Sequence, residues 1–295
     1  MKKQKQVNQP ERLAGFTAIL LFGLGIIQIV FGEFLAQSVA LTANGIDCIG
    51  DGFVSLTVWT GLRFLRKPAD ERFHFGYYKM ENLASIAAAI VMMILASYIV
   101  YRSYMQWLNP HPIQLPTTGI ILALIATIAA VGLGIYKHVK GKKSMMGSVK
   151  LDAFNTIKDG VASGLTVIAL ILSSIGFTEA DALVGFIIAG VIVSIGFTAI
   201  KESSYMLVDA CDESCMLQSE VIRHLTKNIE DIIDAHLIRL RRSGPVLLGE
   251  LEIIVSETMS VGRLYEIRMQ IMEKAREEIP ELERLTITAI PENKD

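Results

Sequence analysis

The chain is short of several things whose presence would point elsewhere. It has three cysteines in 295 residues, Cys48, Cys211 and Cys215, too few for a disulfide framework. Cys48 lies inside an apolar run, and Cys211 and Cys215 stand at a loose CxxxC spacing with no histidine nearby. All three therefore read as structural or incidental. An excess of one charge is also missing: a net charge of −2 gives no basic patch for a nucleic acid. Charged residues make up 20% of the chain, yet they are sparse between Gly15 and Ile200 and dense beyond Asp209. The basic start, MKKQKQVNQPER, leads into an apolar run too long for a signal peptide and without a small-residue cleavage site. It is expected to remain as a first transmembrane helix.

What the chain has is apolar length. Hydrophobic residues make up 52% and mean hydropathy is +0.44, too apolar for an ordinary soluble enzyme. Spanning a bilayer takes about 20 mostly apolar residues. Six runs qualify: 13–35, 39–64, 80–108, 117–138, 149–175 and 180–207. Lys and Arg gather in alternate connections: Lys2, Lys3, Lys5 and Arg12; then Arg63, Arg66, Lys67, Arg72 and Lys79; then Lys137, Lys140, Lys142, Lys143 and Lys150. The intervening connections carry none, with only Arg102 near one of them. This bias predicts six crossings with both termini cytoplasmic, in the inner or plasma membrane.

Beyond residue 208 the pattern becomes that of a small water-soluble domain. It predicts a helix over 217–227, strands over 236–242 and 247–255, a helix over 261–278 and a strand over 284–290. The expected fold is a membrane all-α domain of six helices followed by a small α+β domain of ferredoxin-like αββαβ order. The expected domains are a cytoplasmic segment 1–12, a transport domain 13–208 and a dimerising, regulatory domain 209–295.

Two apolar runs carry acids. In LTANGIDCIGDGFVS, residues 41–55, Asp47 and Asp51 stand four apart and so on one helix face. In KLDAFNTIKDGVAS, residues 150–163, Asn155 and Asp159 repeat the spacing. Ionisable residues at membrane depth are costly, by about 2.5–3.5 kcal/mol each on insertion scales. Two helices each offering an oxygen pair could enclose one cation. Oxygen-only donors suit Mg²⁺, Mn²⁺ and Fe²⁺ better than Zn²⁺ or Cu⁺. Because a carboxylate must lose its proton to bind metal, cation and protons compete at such a site. The plainer alternative is that the acids hydrogen-bond across the bundle. Asp152 lines the inner approach or caps its helix, and Lys158 neutralises spare charge or, the favoured reading, snorkels to the interface.

With these motifs the chain resembles the cation diffusion facilitator family. The matching stretches are the DxxxD of Asp47 and Asp51, the NxxxD of Asn155 and Asp159, the loop PADERFHFGYYKMENLAS (68–85) and the RSGP turn (242–245). The resemblance implies a homodimeric exporter in a lipid bilayer, with a divalent transition-metal ion and H⁺ as substrates and no nucleic-acid partner. It implies no permanently bound cofactor. Where relatives often have His, this chain has Asn155, and its all-oxygen set is like that of manganese-type members. Mn²⁺ is therefore favoured, ahead of Fe²⁺ and Zn²⁺, with Co²⁺ and Cd²⁺ also conceivable cargo. At the family's loop site Asp70 matches, but Phe73 and Tyr77 occupy the His positions and His74 is one residue out of register. In the tail His236 matches a ligand position, and Glu252 is its nearest candidate partner. Lys79 and Asp209 match a pair that bridges the two domains in relatives. A metal-gated channel or a non-transporting sensor would use the same residues. An intramembrane aspartyl protease would need one Asp from each of two helices, and Ile49-Gly50-Asp51 lacks its GxGD pattern.

Overall fold

The computed structural model describes residues 2–64, 70–141, 147–244 and 246–292. The chain divides into two compact units, Met1–Thr60 with Ala84–Ile200, and Gly61–Leu83 with Lys201–Asp295.

The first unit is helical. Its elements are α1 (Lys2–Val30), which continues as a π-helical turn over Phe31–Ala36, α2 (Val39–Phe64), α3 (Met80–Leu108), α4 (Pro116–Gly141), α5 (Gly147–Ser174) and α6 (Glu179–Leu207). Three helical stretches among the described residues are long and apolar enough to cross a membrane: Gly15–Ala36, Met80–Leu108 and Glu179–Leu207, with mean hydropathy of 2.2, 2.4 and 2.5. Helix α2 is not among them, as expected of a helix that carries buried polar groups.

The entry to α2 is held by side chains. Ser38 is its N-cap, accepting from Leu41 N at 3.2 Å. The next orphan N–H groups, of Val39 and Ala40, donate to the Asp181 carboxylate of α6 at 2.7 and 3.1 Å, and Ser38 Oγ donates to it at 2.5 Å. Asp181 is fully buried, and these bonds compensate the burial of its charge. Helices α1 and α2 approach with almost no side chain between them. A Cβ on Gly25 would meet Gly45 O at 2.6 Å, and one on Gly45 would meet Gly25 O at 2.8 Å. Only glycine permits that approach.

In the second unit α7 (Glu213–Lys227), β1 (Ile232–Ser243), β2 (Val246–Val255), α8 (Val261–Glu278) and β3 (Leu282–Pro291) follow in the expected order. The sheet order is β1-β2-β3, with β1–β2 antiparallel and β2–β3 parallel. One sheet face packs Leu247, Leu251, Ile253 and Leu285 against Ile222 of α7 and Ile267 and Ile271 of α8. Helix α7 begins four residues before the sequence pattern suggests, because Asp212 caps it by accepting from Cys215 N at 2.7 Å. The same turn decides between the structural and incidental readings of its cysteines: Cys211 and Cys215 form a disulfide across a Cα–Cα distance of 5.4 Å.

Candidate cation site

Asp47 and Asp51 lie on α2 one turn apart; Asp47 is 6% exposed and Asp51 partly exposed. Asp152, Asn155, Lys158 and Asp159 lie on α5, and their side chains fall outside what the structure describes. What relates the two helices is a bond one turn away from the acids. Ser163 Oγ of α5 donates to Asn44 Oδ1 of α2 at 2.8 Å. Leu41 and Leu170 share a core cluster, so moving forward along α2 means moving back along α5. The helices are antiparallel. From Asn44, Asp47 and Asp51 are about 4.5 and 10.5 Å further along α2; from Ser163, Asp159 and Asn155 are about 6 and 12 Å back along α5, at 1.5 Å per residue. The two backbone pairs therefore stand at matching levels.

The network continues into α1. Asn44 Nδ2 donates to Gln28 Oε1 at 3.0 Å, and the Cys48 thiol lies 3.7 Å from the same oxygen. Gln28, Asn44 and Ser163 are each at most 1% exposed. Sequence reasoning missed all three, as it missed Ser38 and Asp181. The available signal was that Asn44 precedes Asp47 by three residues and Ser163 follows Asp159 by four, so each polar stripe runs one turn further.

The other expected residues lie in different surroundings. Asp70 turns its own loop: Oδ1 accepts from Arg72 N and Phe73 N at 3.0 and 2.9 Å, and Tyr77 OH donates to Oδ2. The Phe73 and Tyr77 rings stack with centroids 4.4 Å apart, and His74 is exposed. His236 is exposed in a bulge of β1 between Ala235 and Leu237, while Glu252 on β2 pairs with Leu237 on one side and Thr288 on the other. Among the described residues, no group of three or more His, Cys, Asp or Glu is placed to hold a metal. Lys79 Nζ lies 2.8 Å from Asp209 Oδ1 and donates to Leu207 O at 3.1 Å. Arg241 Nη1 sits 2.8 Å from Asp209 Oδ2. Partial burial pushes the Asp209 carboxyl up, but the Lys79 hydrogen bond and the Arg241 charge outweigh it and hold it below the usual carboxylate range. In the first unit, Glu33 in the π-turn accepts from Tyr98 OH at 2.8 Å and lies 3.3 Å from Arg102.

Six long helices, with two acids one turn apart on α2, joined to a small αββαβ domain, are the architecture of a membrane transporter of cations. Residues 15–208 match the cation efflux transmembrane domain, and residues 217–290 match the cation efflux protein cytoplasmic domain. The chain belongs to the cation diffusion facilitator family and is a membrane protein of divalent-cation efflux. Among curated relatives it is 27% identical to the cation-efflux pump FieF of Pectobacterium atrosepticum over 282 residues, 94% of this chain and 91% of that one. It is also 27% identical to FieF of Yersinia enterocolitica over 263 residues, 88% and 86% of the two chains. Among solved structures, a single-residue variant of the MamM CTD matches with a TM-score of 0.27 and 16% identity, covering 28% of this chain and all (100%) of that one.

Proposed function

We propose that this protein exports a divalent transition-metal ion, Mn²⁺ in preference to Fe²⁺ and Zn²⁺, in exchange for protons. Asp47, Asp51, Asn155 and Asp159 are the transport ligands, opened alternately to the two sides of an inner or plasma membrane. The protein works as a homodimer with both termini cytoplasmic. The observation that supports this reading is the Asn44–Ser163 bond, which joins the two helices in a register that brings the backbone positions of the two residue pairs to similar levels. Asp47, 6% exposed in an apolar helix, is an ionisable group at a depth where such groups are costly and mark ion pathways. Metal and protons then exclude one another at the same oxygens, which couples their movements. Absence of imidazole and thiolate from the set favours the harder ions. The cytoplasmic domain dimerises, and His236 with Glu252 is at most a weak accessory site. Lys79 and Asp209 brace the polypeptide where it leaves α6.

The test is metal flux into proteoliposomes under an imposed pH gradient, comparing Mn²⁺, Fe²⁺, Co²⁺ and Zn²⁺. Mn²⁺ flux should exceed Zn²⁺ flux, collapse at least tenfold in Asp51→Ala and Asp159→Ala, and shift toward Zn²⁺ in Asn155→His. Preference of the unaltered protein for Zn²⁺ would sink the selectivity reading. Flux that ignores the pH gradient would favour a channel over an exchanger. No flux of any metal would remove the exporter itself.

A further inference from the structure

Burial changes abruptly along α2. Every residue from Ser38 to Cys48 is buried, whereas most described side chains from Ile49 to Thr60 are partly exposed. The acids sit at that boundary, with Asp47 on the closed side and Asp51 on the open one. Four helices make the closed side. Helix α1 meets α2 backbone to backbone at Gly25 and Gly45, and α6 holds the α2 N-terminus through Asp181. Helix α5 meets α2 at Asn44 and Ser163, and Gln28 of α1 completes that chain.

A cation leaving the site toward the α2 N-terminus would meet this chain first. The Gly25–Gly45 contact is locked by shape. The Asn44–Ser163 contact is a single neutral hydrogen bond, worth about 0.5–1.5 kcal/mol net. With the equally neutral Asn44–Gln28 bond, it is weaker than the backbone-to-backbone contact of Gly25 with Gly45, and it is the one that joins the two acid-bearing helices.

We propose that the Gln28–Asn44–Ser163 chain is the closure of the transport path on the α2 N-terminal side, and that parting Asn44 from Ser163 opens the site to that side. Asn44 and Ser163 act as positioning residues: they hold the path shut without binding the ion. The inference rests on the exporter reading above, under which the closed side faces away from the cytoplasm. The pair also holds the two ligand-bearing helices in register, so opening the path and loosening the site become one event. A carrier needs that coupling, because ion release and exposure then occur together.

The experiment introduces Asn44→Cys with Ser163→Cys in a chain carrying Cys48→Ala, Cys211→Ser and Cys215→Ser, and follows Mn²⁺ flux in proteoliposomes. Before oxidation Mn²⁺ should cross. After oxidation to the disulfide, flux should fall at least tenfold while equilibrium binding of Mn²⁺ persists, and a thiol reductant should restore transport. A cross-linked protein that still carries Mn²⁺ at the uncross-linked rate would overturn the closure while leaving the exporter reading intact. Absence of Mn²⁺ flux in the unaltered chain, measured alongside, would instead remove the exporter reading, and the closure with it. Ser163→Ala in the otherwise unaltered chain gives an independent arm. It should raise Mn²⁺ flux in the absence of a pH gradient several-fold, a leak that loss of folded protein would not produce. Unchanged rate and unchanged coupling in that variant would overturn the proposal.

Discussion

At Gly45 one methyl group is enough to test the helix contact. Its Cβ would fall 2.8 Å from Gly25 O and 2.9 Å from Ile29 N, both backbone atoms that cannot rotate away. Gly45→Ala should therefore cost about 1–3 kcal/mol, the range for overpacking a tight interface. The check is a fall in the thermal midpoint of the detergent-solubilised protein. Gly23 is the control, since a Cβ there meets nothing within 4 Å. Gly23→Ala should leave the midpoint unchanged or raise it, because alanine is the better helix former by about 1 kcal/mol. Equal behaviour of the two variants would show that α1 and α2 are not in backbone contact. Tyr77 is a residue-scale substitution of another kind. Its hydroxyl donates to the Asp70 oxygen that the backbone N–H groups of Arg72 and Phe73 leave over, so the loop satisfies its own carboxylate. Mn²⁺ binding measured by calorimetry should accordingly be the same in Asp70→Asn as in the unaltered chain; a lost binding event would show that the loop does hold metal.

At the scale of elements, α2 depends on a carboxylate supplied by α6. Asp181→Ala would leave Val39 N, Ala40 N and the Ser38 hydroxyl without their acceptor, at about 1–3 kcal/mol for each buried group left unsatisfied. Much lower thermal stability is expected, with Asp181→Asn falling between, because it keeps one acceptor oxygen. An unperturbed Asp181→Ala would refute the capping role. The same helix shows what was legible in the sequence and what was not. Its bounds, 39–64, follow from unbroken apolar length and agree with the observed Val39–Phe64. Nothing local marks Asp181 as its cap, since that partner is 142 residues away from Val39. Asn44 and Ser163 were hidden for the same reason. Each is an unremarkable polar residue until the packing brings them together. In the second unit, β1 starts at Ile232 rather than 236 because two register irregularities break the alternation that marks a strand. Helix α7 gains a first turn through a cap and a disulfide, neither of which leaves an apolar periodicity to detect.

At the scale of the whole molecule, two predictions concern conditions rather than contacts. Asp209 is held below the ordinary carboxylate range by Lys79 and Arg241. Its folded value is depressed, so the stabilisation is present above the unfolded value and fades as pH falls through the folded one. Thermal midpoints of the unaltered protein and Asp209→Asn should differ by a constant amount from about pH 5 to 8 and draw together as pH falls below about 4, the ordinary aspartate value, toward the depressed folded one. The difference should also shrink in high salt, because the pair is partly exposed. A gap that did not narrow at all as pH fell below about 4 would show that charge is not its origin. The Cys211–Cys215 disulfide predicts a thiol count: titration in denaturant should find one thiol, that of Cys48, before reduction and three after it. Three thiols without reductant would mean that the bridge does not form in solution. The seal beside the ion site has a further consequence, in how the transport cycle responds to its surroundings. Amides and a hydroxyl do not ionise near neutral pH, and a neutral hydrogen bond is hardly screened by electrolyte. Acidity and ionic strength therefore have no direct purchase on that seal. A sigmoid in transport rate against pH belongs to ionisable groups elsewhere in the protein, the cargo-bearing carboxylates among them, and not to this closure.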